Sequence, residues 1–206
     1  MVWPLFIGLL LAPQSPSDLD SASLNSGPAE VLLKSGDYFQ YIRRIEQDVI
    51  QSPSDAGLHA SLALGYHLLG QRKFCEEEIQ QALSLVKDSH SPDVSVRVHY
   101  LAGRLDMEDK KYEPAIKEFQ AALVFDPANS KIEYFLGFSL QALNQRENAR
   151  LHFEHACRAE VISWPCRALA EIELDEGNVA AAQQHSKQSP QSGRTNRQAR
   201  HQSAGR

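Results

Sequence analysis

The sequence lacks the short motifs that mark common catalytic sites. It has no glycine-rich phosphate loop, no Gly-x-Ser-x-Gly elbow and no His-Glu-x-x-His metal helix. Its eight histidines are scattered along the chain. The sequence therefore predicts neither an enzyme nor a bound cofactor.

The N-terminal apolar stretch is too short to span a bilayer, because it has only about ten apolar residues. That length suits the hydrophobic region of a secretory signal peptide, and Pro13 and Pro16 end the stretch abruptly. A basic start is missing, since no Lys or Arg precedes Lys34. We expect residues 1–27 to be a signal peptide and spacer, and the protein to be periplasmic or secreted. The alternatives are an apolar helix that docks on the folded part, and a cytoplasmic protein.

Acidic residues are absent from the C-terminal end, although the whole chain has a net charge of −5. From Ser186 to Arg206 the sequence carries five Lys and Arg residues, which leaves 16 cations against 26 anions elsewhere. The acidic remainder is a poor candidate for binding nucleic acid. Residues 189–206 are of low complexity and are predicted to be a disordered basic tail. The tail is interpreted either as a contact for an anionic surface or as a solvated end without function.

An internal repeat organises residues 96–163. The shift that places Gly103 on Gly137 also superimposes three further small or aromatic positions. Those positions are Ala115 on Ala149, Phe119 on Phe153, and Ala122 on Ala156. Apolar residues recur at three- and four-residue spacing within each copy, which indicates two helices and a turn. A fixed period of this length predicts a solenoid.

These residues resemble the tetratricopeptide repeat family. Its pattern has a Leu-Gly pair in the first helix, a Tyr after the turn, then Ala, Phe and Ala along the second helix. The first copy shows it as Ala102-Gly103, Tyr112, Ala115, Phe119 and Ala122, and closes with Asp126-Pro127. The second copy shows Leu136-Gly137, Ala149, Phe153 and Ala156. The resemblance implies an all-α fold, an α-α solenoid wound as a right-handed superhelix from about four to five helix-turn-helix repeats.

The predicted repeat domain covers residues 29–188. Its repeats are expected at 29–55, 56–90, 96–129, 130–163 and 164–188. The first is degenerate, because Tyr41 stands where the family has Ala. In the second, Leu64-Gly65 is matched to the Leu-Gly pair and Phe74 to the aromatic after the turn. With that alignment, Glu77 or Glu78 falls on the usual Ala position.

The resemblance also implies a concave groove lined by the first helices, where a partner polypeptide binds. Carried over residue by residue, the groove positions combine aromatic side chains with three cations, types that often anchor interfaces. They are Tyr66, Arg97, Tyr100, Arg104, Met107, Lys131, Tyr134, Phe138 and Gln141. The alternative for Tyr100 and Tyr134 is that they only pack between helices. The Asn residues of the family's carboxylate clamp are absent, so a chaperone-tail binder is not predicted.

Cysteine is scarce, with three residues in the chain. In the family, the end of one repeat lies near the start of the next. This arrangement, together with export, implies a disulfide between Cys157 and Cys166. The alternative is a zinc site formed by the same two cysteines with His152 and His155.

Together these features predict a protein-interaction module that binds through its groove, with a protein or peptide as partner. The second hypothesis is a cell-envelope structural adaptor that is tethered by its basic tail.

Overall fold

The computed structural model describes residues 28–88, 91–159 and 164–188. The described residues form ten α-helices and one 3₁₀ turn, and they contain no strand. The helices are α1 Pro28–Ser35, α2 Tyr38–Gln51, α3 Ala56–Leu68, α4 Arg72–Leu85, α5 Pro92–Glu108, α6 Tyr112–Phe125, α7 Ser130–Ala142, α8 Arg146–Arg158, α9 Trp164–Asp175 and α10 Val179–Gln188. The predicted all-α fold of repeated helical hairpins is confirmed. The predicted signal peptide and basic tail lie outside the described residues.

The chain divides into two compact units, Met1–Leu101 and Ala102–Arg206. In the first unit α2 packs on both α1 and α3, and α3 packs on α4. In the second unit α7 packs on α6 and α8, and α9 packs on α8 and α10. Contact between helices that follow each other in sequence is the arrangement expected of a repeat protein.

Each hairpin turns at a residue with positive φ. These turn residues are Gly36, Gly70, Lys110, Asn144 and Gly177, with φ of 80°, 70°, 59°, 61° and 78°. The amide after each turn residue donates to the carbonyl five residues earlier, as Gln145 does to Leu140 at 2.9 Å. This bond satisfies a carbonyl at the end of the first helix and closes a Schellman motif. The turn residues therefore give one structural register for all five hairpins.

The same small or apolar positions follow every turn residue into the second helix. Five residues after the turn residue the side chain is buried in each hairpin: Tyr41, Cys75, Ala115, Ala149 and Ala182. One helical turn further, the first four hairpins bury Ile45, Ile79, Phe119 and Phe153. This spacing puts both positions on one face of the helix, so the second helices share a buried stripe.

The structure corrects the alignment of the second repeat. Gly70 is its turn residue, so Ala63 occupies the place of Gly103 and Gly137, and Cys75 occupies the place of the family's Ala. The alignment on Leu64-Gly65 is therefore two residues out of register. Gly65 has a different role, because a Cβ there would lie 2.6 Å from the Ile42 side chain of α2. It allows close approach of the preceding helix instead.

Two glycines allow the helices of their own hairpin to approach closely. A Cβ on Gly103 would lie 2.7 Å from the Phe119 ring, and a Cβ on Gly137 would lie 2.8 Å from the Phe153 ring. Real Cβ atoms do not reach such distances without displacement of the neighbour, so each glycine and phenylalanine form a matched pair. Glycine and phenylalanine recur at equivalent places in the sequence because both hairpins make this contact.

Two first helices, α3 and α7, start at side-chain caps. Asp55 accepts hydrogen bonds from the amides of Gly57 and Leu58 at the start of α3. Asn129 accepts one from the Ile132 amide at the start of α7. Side-chain oxygens at these positions satisfy amides that have no partner within the helix. The Asp-Pro-Ala-Asn sequence before α7 therefore stops one helix and starts the next.

Candidate protein-binding face

The first helix of the fourth hairpin, α7, is buried over most of its surface. Its eight buried residues include Glu133 and Ser139, and the buried run from Ile132 to Gly137 is continuous. Lys131, Phe138 and Gln141 are half-buried and form a stripe on one side of the helix. We call these three residues the α7 stripe. They are the groove residues predicted on α7 whose side chains reach solvent.

Tyr134 lies mainly within the packing of the second unit. Its side chain is 7% exposed. Its ring centroid lies 5.8 Å from both the Phe153 and the Trp164 rings and 5.2 Å from the Phe135 ring. Burial of the hydroxyl raises the pKa of Tyr134, and the nearby Glu171 carboxylate acts in the same direction. Tyr134 thus supports the helix that presents the α7 stripe.

Arg104 is held against an aromatic ring. Its guanidinium carbon lies 4.4 Å from the centroid of Phe135, a cation–π geometry. The guanidinium also lies 3.7 Å from the Glu108 carboxylate, one turn further along α5. Met107, on the same helix, is buried. Arg104 is therefore a positioned cation, while Met107 contributes to the core.

In the first unit, Arg97 is a largely buried cation. Burial lowers the pKa of Arg97, although Asp55 and Asp93 partly oppose that effect. Its Nε has no hydrogen-bond partner among the described residues. A terminal nitrogen of Arg97 lies close to Gly57, beside Asp55 and Val94. Asp55 and Val94 also line an open cleft of about 660 Å³. Tyr100, three residues further along α5, is buried.

Tyr66 does not share the position of the other groove residues. It lies four residues before its turn residue, the position of Asp106 and Leu140 rather than that of Arg104 and Phe138. Its hydroxyl donates to Glu46 of α2 at 2.9 Å, and its ring lies 5.3 Å from Phe74 of α4. Burial and the Glu46 hydrogen bond raise the pKa of Tyr66 to about 12. The corrected register explains the difference.

The two cysteines considered for zinc are joined in the structure. Cys157 and Cys166 form a disulfide, with their Cα atoms 4.8 Å apart, that links the end of α8 to the start of α9. Their sulfurs are therefore not zinc ligands in this state. His152 and His155 point elsewhere, and both Nδ1 atoms contact the Glu133 carboxylate of α7. Within residues 28–88, 91–159 and 164–188, no group of three or more His, Cys, Asp or Glu side chains is arranged so that it could hold a metal ion.

Sequence reasoning missed Glu133 as a polar centre. It is 7% exposed, and both of its carboxylate oxygens accept hydrogen bonds from histidine. The signal was the pair His152 and His155, three residues apart on one face of a predicted helix. A buried carboxylate opposite them would have explained the pair without a metal.

None of the described helices is both long and apolar enough to cross a membrane.

No family model matches the sequence, and no curated protein matches it. Solved structures do match. A crystal structure of MamA aligns with a TM-score of 0.65 at 15% identity, covering 81% of this chain and 94% of that one. MamA from Desulfovibrio magneticus RS-1, residue 41 to the end, gives 0.65 at 17% identity, covering 78% and 88%. PilF of Pseudomonas aeruginosa gives 0.72 at 23% identity, covering 82% and 74%. The turns, the glycine–phenylalanine pairs and these similarities identify the fold as that of tetratricopeptide repeat proteins.

Proposed function

We propose that this chain is a protein-interaction scaffold without enzymatic activity of its own, and that it binds a partner polypeptide through the first helices of its hairpins. The repeat fold supports this proposal, because similar folds occur in scaffold proteins. The observation that carries it is the α7 stripe. On a helix that is mostly buried, Lys131, Phe138 and Gln141 are half-buried, and they combine a cation, an aromatic ring and an amide.

The chemistry of the stripe favours a particular kind of partner. Covering a partly exposed Phe with an apolar side chain stabilises the complex, because apolar surface is removed from water. Lys131 adds a cation and Gln141 can donate to or accept from a peptide backbone. In the same unit, Arg104 presents a second cation that Phe135 and Glu108 hold in place. We therefore propose a segment that carries an apolar side chain together with a carboxylate.

Replacing Phe138 by Ala together with Lys131 by Gln is expected to weaken partner binding about tenfold or more. Aromatic and charged residues at the centre of an interface often contribute this much. The partner is first captured by a photoreactive amino acid placed at position 138. Its affinity for the wild type and the double variant is then compared by calorimetry.

The matched control is Leu151→Ala on α8, because Leu151 is 63% exposed but lies on a second helix. This variant is expected to bind the captured partner as the wild type does, and both variants should keep the wild-type helical signal. Equal affinities for the wild type and the double variant would exclude the α7 stripe as the binding face.

We also propose export to a periplasm or the exterior. The apolar stretch at residues 1–12 supports export, as does the disulfide between Cys157 and Cys166, because such bonds persist in oxidising compartments. Sequencing of the mature N-terminus tests export, with the new terminus expected within residues 13–24. An intact Met1 would contradict signal-peptide cleavage.

The second candidate is an envelope adaptor tethered by its C-terminal end, which the five cations and absent acids from Ser186 onward favour. A chain that ends at Gln188 is then expected to lose sedimentation with anionic vesicles at low salt, which the full chain would show. If both chains sediment equally, the adaptor function is excluded. Binding at the α7 stripe is measured separately, so the two functions are distinguished.

A further inference from the structure

Two hairpins carry the same polar pair between their two helices. In the second hairpin, Nδ1 of His59 on α3 lies 2.7 Å from a carboxylate oxygen of Glu78 on α4. In the fourth, Nδ1 of His152 on α8 lies 2.6 Å from a carboxylate oxygen of Glu133 on α7. The two partners are 19 residues apart in both hairpins. We call these two contacts the histidine–carboxylate clamps.

The clamps occupy equivalent places in the repeat. His59 precedes the turn residue Gly70 by as many positions as Glu133 precedes Asn144, and Glu78 and His152 follow those turn residues by equal distances along the chain. The imidazole and the carboxylate have thus exchanged helices between the two hairpins.

The sequence of the third hairpin has the same combination. His99 and Glu118 stand at the same two places relative to Lys110. The chain therefore repeats a chemical pairing that the family pattern, which is apolar, does not require.

The contacts of His59 require the charged imidazole. Its Nε2 lies 3.0 Å from the Pro53 carbonyl oxygen, which can only accept, so Nε2 carries a hydrogen. Its Nδ1 faces the Glu78 carboxylate, which also only accepts when ionised, so Nδ1 carries a hydrogen as well. Both hydrogens are present only in the imidazolium form. Loss of either proton breaks one of the two contacts.

Burial makes both clamps sensitive to charge. His59 and Glu133 are 8% and 7% exposed, and a buried ion is destabilising unless it is paired. Burial lowers the pKa of His59, but the hydrogen bonds to Glu78 and the Pro53 carbonyl outweigh it, so that this pKa lies above its ordinary value. Burial raises the pKa of Glu133, but the hydrogen bonds from His152 and His155 outweigh it, so that this pKa lies below its ordinary value.

The surrounding charges also favour the charged forms of His59 and Glu133. At the second hairpin, Asp55 also acts on His59. On α2, which packs against α3, Glu46 accepts the Tyr66 hydroxyl. At the fourth hairpin, Arg150 of α8 pairs with Glu173 of α9 and with Glu176, just beyond the end of α9, and Arg158 pairs with Glu154. The carboxylate in contact with both His152 and His155 is that of Glu133.

We propose that the histidine–carboxylate clamps form a pH-sensitive device, in which protonation of His59 between mildly alkaline and mildly acidic pH tightens the second hairpin against unfolding, and the ionised Glu133 carboxylate holds the fourth hairpin together. The contribution of His59 is fully present below the unfolded-state pKa of about 6.5 and is lost as the pH rises through the folded-state pKa. The contribution of Glu133 is present above the unfolded-state pKa of about 4.5 and is lost as the pH falls through its folded-state pKa. Stability from the clamps is therefore greatest between about pH 4.5 and 6.5.

Urea unfolding of the full chain at pH 8 and at pH 6 tests the proposal. The wild type is expected to have a severalfold smaller unfolding equilibrium constant at pH 6, and the double variant H59Q/H152Q is expected to lose that difference. The matched control is H185Q on α10. His185 follows its turn residue Gly177 as His152 follows Asn144, but the equivalent partner position holds Cys166, not a carboxylate. This control should keep the pH response of the wild type.

A second measurement keeps the test decisive if the double variant does not fold. Glu78→Gln leaves a side chain of the same shape that still bonds a neutral imidazole. An NMR titration is expected to give a His59 pKa above its ordinary value in the wild type and a lower one in this variant. The proposal is overturned if the wild type is no more stable at pH 6 than at pH 8. It is also overturned if the double variant keeps the full pH response, or if Glu78→Gln leaves the His59 titration unchanged.

Discussion

Replacing Phe153 by Ala is expected to lower the free energy of unfolding by about 3–5 kcal/mol, the usual loss when a large core aromatic is truncated. Phe153 is 0% exposed. Its ring fills the space that Gly137 leaves on α7, where a Cβ would lie 2.8 Å away, and it lies 5.8 Å from the Tyr134 ring. Because the glycine on one helix and the phenylalanine on the other fit each other, we expect that the two backbones cannot move closer to fill the cavity that Ala would leave. Urea denaturation, monitored by circular dichroism, measures the loss.

The same helix provides the control for this prediction. Leu151 lies two residues before Phe153 and is 63% exposed, so Leu151→Ala truncates a large apolar side chain at the surface instead of in the core. That change is expected to alter the free energy of unfolding by less than about 1 kcal/mol. A similar loss in both variants would mean that the Gly137–Phe153 contact is not part of the packed core. Phe119→Ala, opposite Gly103 in the third hairpin, is expected to behave as Phe153→Ala does.

The sequence was sufficient to predict the hairpins whose contacts are specific. Phe119 and Phe153 recur at equivalent places of successive repeats because each fills the gap beside a glycine, and a substitution on either side would spoil the fit. The turns at Gly36 and Gly177 could be predicted as well, since a positive φ favours glycine, whereas at Lys110 only the break in the apolar spacing indicates the turn. These are local requirements, and local requirements are visible in sequence.

The register of the second repeat was harder to predict, because either of two glycines could be aligned with the family pattern. Gly65 follows Leu64 and imitates the family pair, but its function is to admit Ile42 from the preceding helix. Gly70 is the informative one, since the shift that superimposes it on Gly36 also superimposes Ile79 on Ile45. The interval from Gly70 to Lys110 is longer than the other intervals between turn residues, so the period of residues 96–163 does not extend from the third hairpin back to the second.

The candidate site could be predicted only in outline. Helical spacing places Lys131, Tyr134 and Phe138 on one side of α7, but spacing cannot say how far a neighbouring helix covers each residue. The Trp164 ring of α9 approaches Tyr134, whereas Phe138 stays half-buried. The histidine–carboxylate clamps were hidden for another reason. Exchange of histidine and glutamate between helices removes the residue identity on which a repeat comparison depends.

Replacing Cys157 and Cys166 together by Ser is expected to lower the free energy of unfolding by about 2–3 kcal/mol. The bond spans nine residues, and closing a loop of that length restricts the unfolded chain by roughly this amount. Dithiothreitol should lower the stability of the wild type to that of the double variant, and it should leave the variant unchanged. Thiol titration of the unfolded, unreduced wild type should find one thiol, from Cys75, and after reduction it should find three.

The matched control for the disulfide is Cys75→Ala. Cys75 is buried on α4 outside the disulfide, at the place that Ala115 and Ala149 hold in the next two hairpins, so Ala fits there without strain. This variant is expected to lose about 1 kcal/mol or less and to keep its response to dithiothreitol. Three thiols in the unreduced wild type would contradict the bond.

Since small domains are stable by only about 5–15 kcal/mol, a loss of about 2–3 kcal/mol on reduction would weaken the fold substantially in a reducing compartment. The disulfide and the proposed export therefore depend on the same condition, an oxidising environment around the folded chain.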